Sequence, residues 1–215
     1  MSDKEVLLGV TSDHLNTGLR GVPVGTCRTS FVTPTEGVHY CGYPITELAN
    51  FSPEDIVYLL FNKELPNAQQ SADIRADLAS RAEIPGDLEA VFRTLPKYGH
   101  PMDWLSVAIH TIGMWETTGD WKEDALNLIA RMPRIMGLMY RIREGREQDI
   151  PADDTSLNMV ERFILTLGLE DVDDEKLHRV ISTYLVLHMD HGGGNLSTFT
   201  GKAIASSKAT VYSAM

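Results

Sequence analysis

The chain has 215 residues and a formal net charge of −11 at pH 7. A chain of this length can bury a sizeable core as one domain. Its negative net charge argues against nucleic acid and anionic membrane surfaces as partners, because both are recognised by basic patches. The sequence also lacks a run of about 20 apolar residues, which a membrane span needs, and residues 1–5 lack the features of a signal peptide. We therefore expect a cytoplasmic protein, with Cys27 and Cys41 as free thiols, although two cysteines could pair.

Strand character is confined to the start of the chain, over residues 5–43. Residues 6–8 and the β-branched stretch 26–33 indicate strands, and residues 34–37 supply a turn before residues 38–40. We expect a small β-hairpin within an N-terminal appendage over residues 1–43. The stretch Tyr40-Cys41-Gly42-Tyr43 favours a tight turn packed on the helices, with a ligand-contacting lip as the alternative.

Residues 44–215 are predicted to form a body of packed helices, so the fold class is mainly α with a small β element. Helix start and stop signals, chiefly serine, threonine, proline and glycine, define most of the boundaries. Pro133 lies inside the longest predicted helix and should kink or split it. Six helices are predicted before residue 168, and they cover residues 53–65, 68–81, 85–95, 100–114, 122–143 and 155–167.

The segment Leu185–Ser197 combines two histidines with three consecutive glycines. His188 and His191 are three positions apart, so they share one helix face if the helix persists through His191. The glycines allow the backbone to approach a ligand closely, and imidazole can donate to an oxygen that gains negative charge. This pattern indicates a site for an anion or a polarised carbonyl.

Two other interpretations of the segment stay open. His188 could pack in the core while His191 ends a solvated helix, since histidine is often structural. Alternatively, His188, Asp190 and His191 could bind zinc or iron, although Asp190 does not share the helix face of the histidines. Asn195 or Ser197 is expected to cap a last helix that continues through Tyr212.

Residues 187–200, Leu-His-Met-Asp-His-Gly-Gly-Gly-Asn-Leu-Ser-Thr-Phe-Thr, resemble the histidine-rich oxaloacetate segment of the citrate synthase and 2-methylcitrate synthase family. Four other stretches resemble the family in its own order and at roughly its spacing: Gly18–Val22, His39–Tyr43, Tyr58–Pro66 and His100–Asp103. The resemblance implies much of the large domain of a citrate synthase. It also implies an acyltransferase of the tricarboxylic acid cycle that condenses acetyl-coenzyme A with oxaloacetate to give citrate and coenzyme A.

The resemblance further implies roles for individual residues. His191 is expected to hold and polarise the carbonyl of oxaloacetate, and His188 to orient the loop. Asn195 is expected to bind the substrate, and Ser197 to align the residues that bind it. No metal and no cofactor are implied, because the coenzyme A thioester is itself a substrate. Family members are usually homodimers built through large-domain helices, which we expect here too.

The family's catalytic residues are not found in these 215 residues. They include a histidine in a Gly-Pro-x-His-Gly segment, a catalytic aspartate and substrate-binding arginines, which follow later in family members. We therefore expect the N-terminal part of a synthase, truncated before the small domain and inactive alone. The alternatives are the corresponding part of a 2-methylcitrate synthase that uses propionyl-coenzyme A, or a non-catalytic subunit complemented by a second chain.

Overall fold

The computed structural model describes residues 6, 8–17, 22, 25–168, 174–192 and 195–215. These residues form mainly helices with one small antiparallel sheet, which confirms the predicted fold class. None of the described helices is long and apolar enough to cross a membrane. The elements in chain order are α1 His14–Thr17, β1 Ser30–Thr33, β2 Gly37–Tyr40, β3 Tyr43–Pro44, α2 Ile45–Leu48, α3 Pro53–Asn62, α4 Ala68–Ser80, α5 Leu88–Thr94, α6 Pro101–Trp115, α7 Trp121–Arg143, a short 3-10 helix Glu147–Asp149, α8 Met159–Leu167, α9 Asp174–His188, α10 Leu196–Ala205 and α11 Val211–Ala214.

The sheet has the order β1-β2-β3, with β1 and β2 forming the predicted hairpin. A tight turn at Cys41 and Gly42, both with positive φ, joins β2 to β3. The short strand β3 was not predicted from the sequence. The predicted turn is thus confirmed. The strand predicted over residues 6–8 is wrong for the described residues Val6 and Leu8, which lie outside the sheet, while Leu7 lies outside the described residues.

Most of the core lies between α5, α6, α7 and α11. The structure buries a continuous set of large apolar side chains there, and each stabilises the fold by about 1.5–3 kcal/mol relative to its exposed state. The buried residues of this cluster are Leu88, Phe92, Trp104, Ala108, Ile109, Ile112, Leu128, Ile135, Leu138, Met139, Ile142 and Tyr212.

A second, smaller cluster joins the sheet to the helices. Tyr40 of β2 packs with Leu48 of α2, with Ile56 and Leu59 of α3, and with Val186 near the end of α9. All five side chains are fully buried. This cluster fixes the C-terminal end of α9, and therefore the histidine segment, against the sheet.

Several helix boundaries differ from those predicted. Ser52 caps α3, which begins at Pro53 as predicted, but the helix ends at Asn62, because Lys63 adopts a left-handed conformation before Pro66 is reached. Helix α8 begins after Asn158 rather than at Thr155. The Asn158 side chain accepts hydrogen bonds from the first helical turn, and this cap is stronger than that of an exposed threonine.

The continuity of two longer helices also differs from expectation. Helix α7 is not split, since it runs unbroken through the buried Pro133. Its packing against α4, α5, α6 and α8 outweighs the loss of one backbone hydrogen bond. The last predicted helix is two helices, α10 and α11, because the chain turns at Lys208, which has a φ of 62°. Helix α5 begins at Leu88 instead of Pro85, with Asp87 as its cap.

Candidate functional site

Helix α9 ends at His188, three residues before His191. The condition for a shared helix face, a helix that persists through His191, is therefore not met. The backbone groups that would continue the helix are bonded elsewhere. The Asp190 N–H donates to the Tyr40 hydroxyl, and the Gly192 N–H donates to the Asp190 side chain.

The Tyr40 hydroxyl bridges the end of α9 and the loop that follows. It donates to the carbonyl oxygen of Val186 at 3.0 Å and accepts from the Asp190 N–H at 3.2 Å. The last carbonyl groups of a helix have no partner within it, so this hydroxyl satisfies one of them. Burial raises the pKa of Tyr40, so the phenol stays protonated and able to donate. Tyr40 thus fixes the direction in which the chain leaves the helix.

The loop then turns at Asp190 and contacts the sheet at Gly192. Asp190 Oδ1 accepts the Gly192 N–H at 2.7 Å, which closes a short side-chain turn. Gly192 is buried with a φ of 26°, and a Cβ there would overlap Cys27 Sγ and lie 2.6 Å from Ser30 Oγ. Only glycine allows this close approach between the loop and the start of β1.

The two histidine side chains are both exposed but differ in their contacts. His188 Nδ1 lies 2.7 Å from the carbonyl oxygen of Tyr184, and the His188 ring stacks on the Tyr184 ring. Since a carbonyl can only accept, Nδ1 of His188 bears the proton and Nε2 faces away from that bond. His191 has no hydrogen bond to the described residues, so its imidazole is available to a ligand. The exposure of His188 rules out the interpretation in which it packs in the core.

Asn195, one of the two residues expected to cap the last predicted helix, caps α10. Its Oδ1 accepts from the N–H groups of Ser197 at 2.8 Å and Thr198 at 3.2 Å. The amide NH2 group of Asn195 has no bond in this cap and can donate to an anion. Ser197 lies exposed in the first turn of the helix. Gly193 and Gly194, also part of the predicted site, lie outside the described residues.

The metal interpretation of the segment finds no support in the geometry. In the part of the chain that the structure describes, which includes His188, Asp190 and His191, no three acidic, histidine or cysteine side chains are placed to hold a metal ion. His100 caps α6, since its Nδ1 accepts the Met102 N–H at 3.2 Å. The helix predicted over residues 100–114 therefore begins at the expected position.

The sequence did not identify Tyr40 or Cys27 as contacts of the histidine segment. Tyr40 lies in a stretch predicted to form a tight turn or a ligand-contacting lip, and its bond to Val186 spans 146 positions. Its position inside one of the family-like stretches, residues 39–43, was the available signal. For Cys27 no signal was available, because its contact with Gly192 depends on how the sheet packs.

Fold and site together define a helical scaffold that presents an imidazole-bearing loop, held by a small sheet, at the end of a helix. Solved structures share this scaffold. The citrate synthase from Thermotoga maritima superposes with a TM-score of 0.78 and 26% identity, over 92% of this chain and 52% of that one. The citrate synthase from Pyrobaculum aerophilum gives a TM-score of 0.79 with the same identity and coverage.

Sequence comparisons agree with the structural ones. A family model described as "Citrate synthase, C-terminal domain" matches residues 18–215. Citrate synthase 4, mitochondrial, of Arabidopsis thaliana is 31% identical, covering 97% of this chain and 48% of the relative. 2-Methylcitrate synthase, mitochondrial, of Yarrowia lipolytica is 29% identical, covering 94% of this chain and 48% of the relative. The chain belongs to the citrate synthase family and spans about half the length of these curated relatives.

Proposed function

We propose that this chain holds oxaloacetate for a citrate synthase-type acyltransferase that condenses it with acetyl-coenzyme A to give citrate and coenzyme A. The observation behind the proposal is the loop from Met189 to Gly192. It is fixed at one end by Tyr40 and at the other by Cys27 and Ser30, and it exposes the unbonded imidazole of His191. Donors held in advance at a developing oxyanion contribute strongly to catalysis of carbonyl chemistry.

The hydrogen bonds of the site residues indicate a different role for each of them. His191 donates to the ketone oxygen of oxaloacetate and polarises it. His188 donates through Nδ1 to the Tyr184 carbonyl of its own helix, so it acts by orienting the loop. The amide NH2 of Asn195, which makes no bond in the cap of α10, is suited to a substrate carboxylate, with Ser197 beside it. The site uses no metal and no cofactor other than the thioester substrate.

We further propose that the 215-residue chain alone does not turn over. Enolisation of the thioester needs a positioned base and an enol-stabilising donor. The family-like Gly-Pro-x-His-Gly segment does not occur in these 215 residues. The second candidate is a part of a 2-methylcitrate synthase acting on propionyl-coenzyme A, which the similarity to the Yarrowia lipolytica protein favours almost equally.

A homodimer is part of the proposal and is supported by one face of α9. Val180, Tyr184 and Leu187 recur at helical spacing and are 57%, 60% and 42% exposed, while Val186 on another side is buried. A helix that is apolar on more than one side is normally covered on all of them. The cytoplasmic location stays a prediction, since the relatives compared above are named as mitochondrial.

Oxaloacetate binding is tested by NMR of the seven histidine imidazoles during titration with oxaloacetate and, separately, with malate, which lacks the ketone. We expect the His191 signals to shift with oxaloacetate and much less with malate. The matched control is His110→Ala, because His110 Nδ1, like His188 Nδ1, bonds a carbonyl one turn earlier, at 2.8 Å from Ser106. Unchanged His191 signals, or equal loss of affinity in His191→Ala and His110→Ala, would refute the assignment.

Turnover is tested by release of free coenzyme A from acetyl- or propionyl-coenzyme A in the presence of oxaloacetate. The purified chain alone should release none above the rate without protein. Addition of a polypeptide that contains the family's C-terminal half should restore release, and the preferred thioester then identifies the donor. Citrate formed by the chain alone would contradict the proposed inactivity, whereas copurification with a chain containing Gly-Pro-x-His-Gly would support the two-subunit alternative.

A further inference from the structure

A cavity of about 240 Å³ lies beside the start of β1, and Cys27 and Ser30, which meet Gly192, are among the residues that line it. Both cysteines of the chain line it, together with two cations, Arg28 and Lys63. We call it the thiol cavity. The backbone hydrogen bond from the Cys41 N–H to the Thr29 carbonyl, 2.7 Å long, holds its two walls together.

The two thiols in the cavity have opposite surroundings. Burial raises the pKa of Cys27, but hydrogen bonds from the hydroxyl and backbone groups of Thr29 and Ser30 outweigh it and lower that pKa to about 7. Cys41 donates its thiol proton to the Leu59 carbonyl at 3.6 Å, and burial raises its pKa. Since the thiolate is the nucleophile, Cys27 is the reactive thiol at neutral pH and Cys41 is not.

The charged side chains that line the thiol cavity are both cations. Arg28 and Lys63 line the cavity and form no ion pair with a described residue. Lys202 reaches over from α10 and donates to the Thr26 carbonyl at 3.1 Å. Asp190 is the opposing carboxylate, and it is already bonded to the Gly192 N–H. A cleft lined by charges of one sign concentrates ligands of the other sign, so the cavity favours an anion.

We propose that Cys27 is a modification site for small disulfides that bear carboxylates. The Cys27 thiolate attacks one ligand sulfur, a new S–S bond forms to the protein, and the S–S bond of the ligand breaks. The other half of the ligand leaves as a thiolate, which takes a proton from water at neutral pH. The protein sulfur is oxidised and the departing half is reduced, so the disulfide itself is the oxidant. Arg28 and Lys63 hold the carboxylates, and a free thiol reverses the reaction.

Such a modification lies next to the histidine segment. The sulfur of Cys27 lies against the backbone of Gly192, where there is no room even for a Cβ. A group attached to this sulfur must occupy the thiol cavity or displace Gly192. The loop that includes His191 is therefore expected to sense the modification.

The test uses two reagents on the full chain, the dianionic disulfide dithiobis-nitrobenzoate and the neutral disulfide dithiodipyridine. Intact mass should show one fast adduct per chain, which is lost in Cys27→Ser and kept in Cys41→Ser. The rate should rise with pH around a midpoint near 7. In the double variant Arg28→Ala/Lys63→Ala, the rate with the dianionic reagent should fall about tenfold, while the rate with the neutral reagent changes less than about twofold.

The proposal fails if Cys41 reacts as fast as Cys27, or if the double variant slows both reagents equally. Circular dichroism of each variant establishes that it is folded. A second readout is the His191 imidazole signal, which should shift on modification of Cys27 while that of His110 does not. Loss of oxaloacetate binding in the earlier experiment would leave these rates unchanged, so the two proposals fail separately.

Discussion

The Tyr40 hydroxyl is the contact with the most measurable consequence, and Tyr40→Phe removes it alone. The substitution keeps the buried ring and leaves two backbone groups, the buried Val186 carbonyl and the partly buried Asp190 N–H, without their partner. An unsatisfied buried polar group costs about 1–3 kcal/mol. With two such groups and some relaxation of the loop, we expect a loss of about 2–4 kcal/mol in the free energy of unfolding. For a chain of this length, the corresponding fall in Tm is roughly 4–16 °C.

The assay is chemical denaturation of wild type, Tyr40→Phe and the control Tyr98→Phe, whose side chain is 93% exposed. Amide hydrogen exchange adds a local readout, because the Asp190 N–H should lose its protection in Tyr40→Phe only. A loss of stability no larger than that of the control, with the Asp190 amide still protected, would refute the reasoning. It would mean that water replaces the hydroxyl or that the loop does not depend on it.

Three further substitutions test the close contacts and the cap. Gly137→Ala places a Cβ in overlap with the methyl group of Thr166, where α7 meets α8, and should cost about 1–3 kcal/mol of unfolding free energy. Asn195→Ala removes the cap of α10 and should cost about 1 kcal/mol, with faster amide exchange in the first turn. Gly192→Ala should destabilise the chain by overlap with Cys27, and the second change Cys27→Ala should recover part of the loss in denaturation measurements.

The same chain offers a control for the glycine substitutions, Gly9→Ala, and one for Asn195→Ala, which is Ser197→Ala. Gly9→Ala adds a Cβ with no atom within 4 Å and should leave stability unchanged. Ser197→Ala alters an exposed residue beside the cap without removing it. For Gly192, additive effects of the two substitutions would contradict a direct contact with Cys27, because independent sites add and touching sites do not.

Local signals predicted much of the helical body. Ser52 and Pro53 start α3, His100 and Pro101 start α6, and Gly168 ends α8, all through bonds to residues within a few positions. Features that depend on distant packing were not predictable in this way. The unbroken course of α7 through Pro133 is one example, since the helices packed along it stabilise it as much as its own sequence does.

In the candidate site, too, local signals predicted one feature and distant packing determines another. The histidine and glycine content of residues 188–192 identified the segment, but the end of α9 could not be placed. An apolar helix with histidines three apart has no local signal that stops it at His188. The stop depends on Tyr40, which takes the Asp190 N–H out of the helix, and Tyr40 reaches that position only because the sheet packs on α3 and α9.

The sheet therefore contacts the histidine loop at two points, the Tyr40 hydroxyl and the Gly192 backbone, and His191 lies between them. A ligand held by His191 and a group attached to Cys27 both act on this one short loop. If both proposals hold, the two effects must be reciprocal. The factor by which an adduct on Cys27 changes the affinity for oxaloacetate equals the factor by which oxaloacetate changes the equilibrium constant for adduct formation. The coupling is positive if the adduct holds Gly192 in its place and negative if it displaces Gly192. The sign of the coupling therefore reports whether the thiol cavity accommodates the adduct.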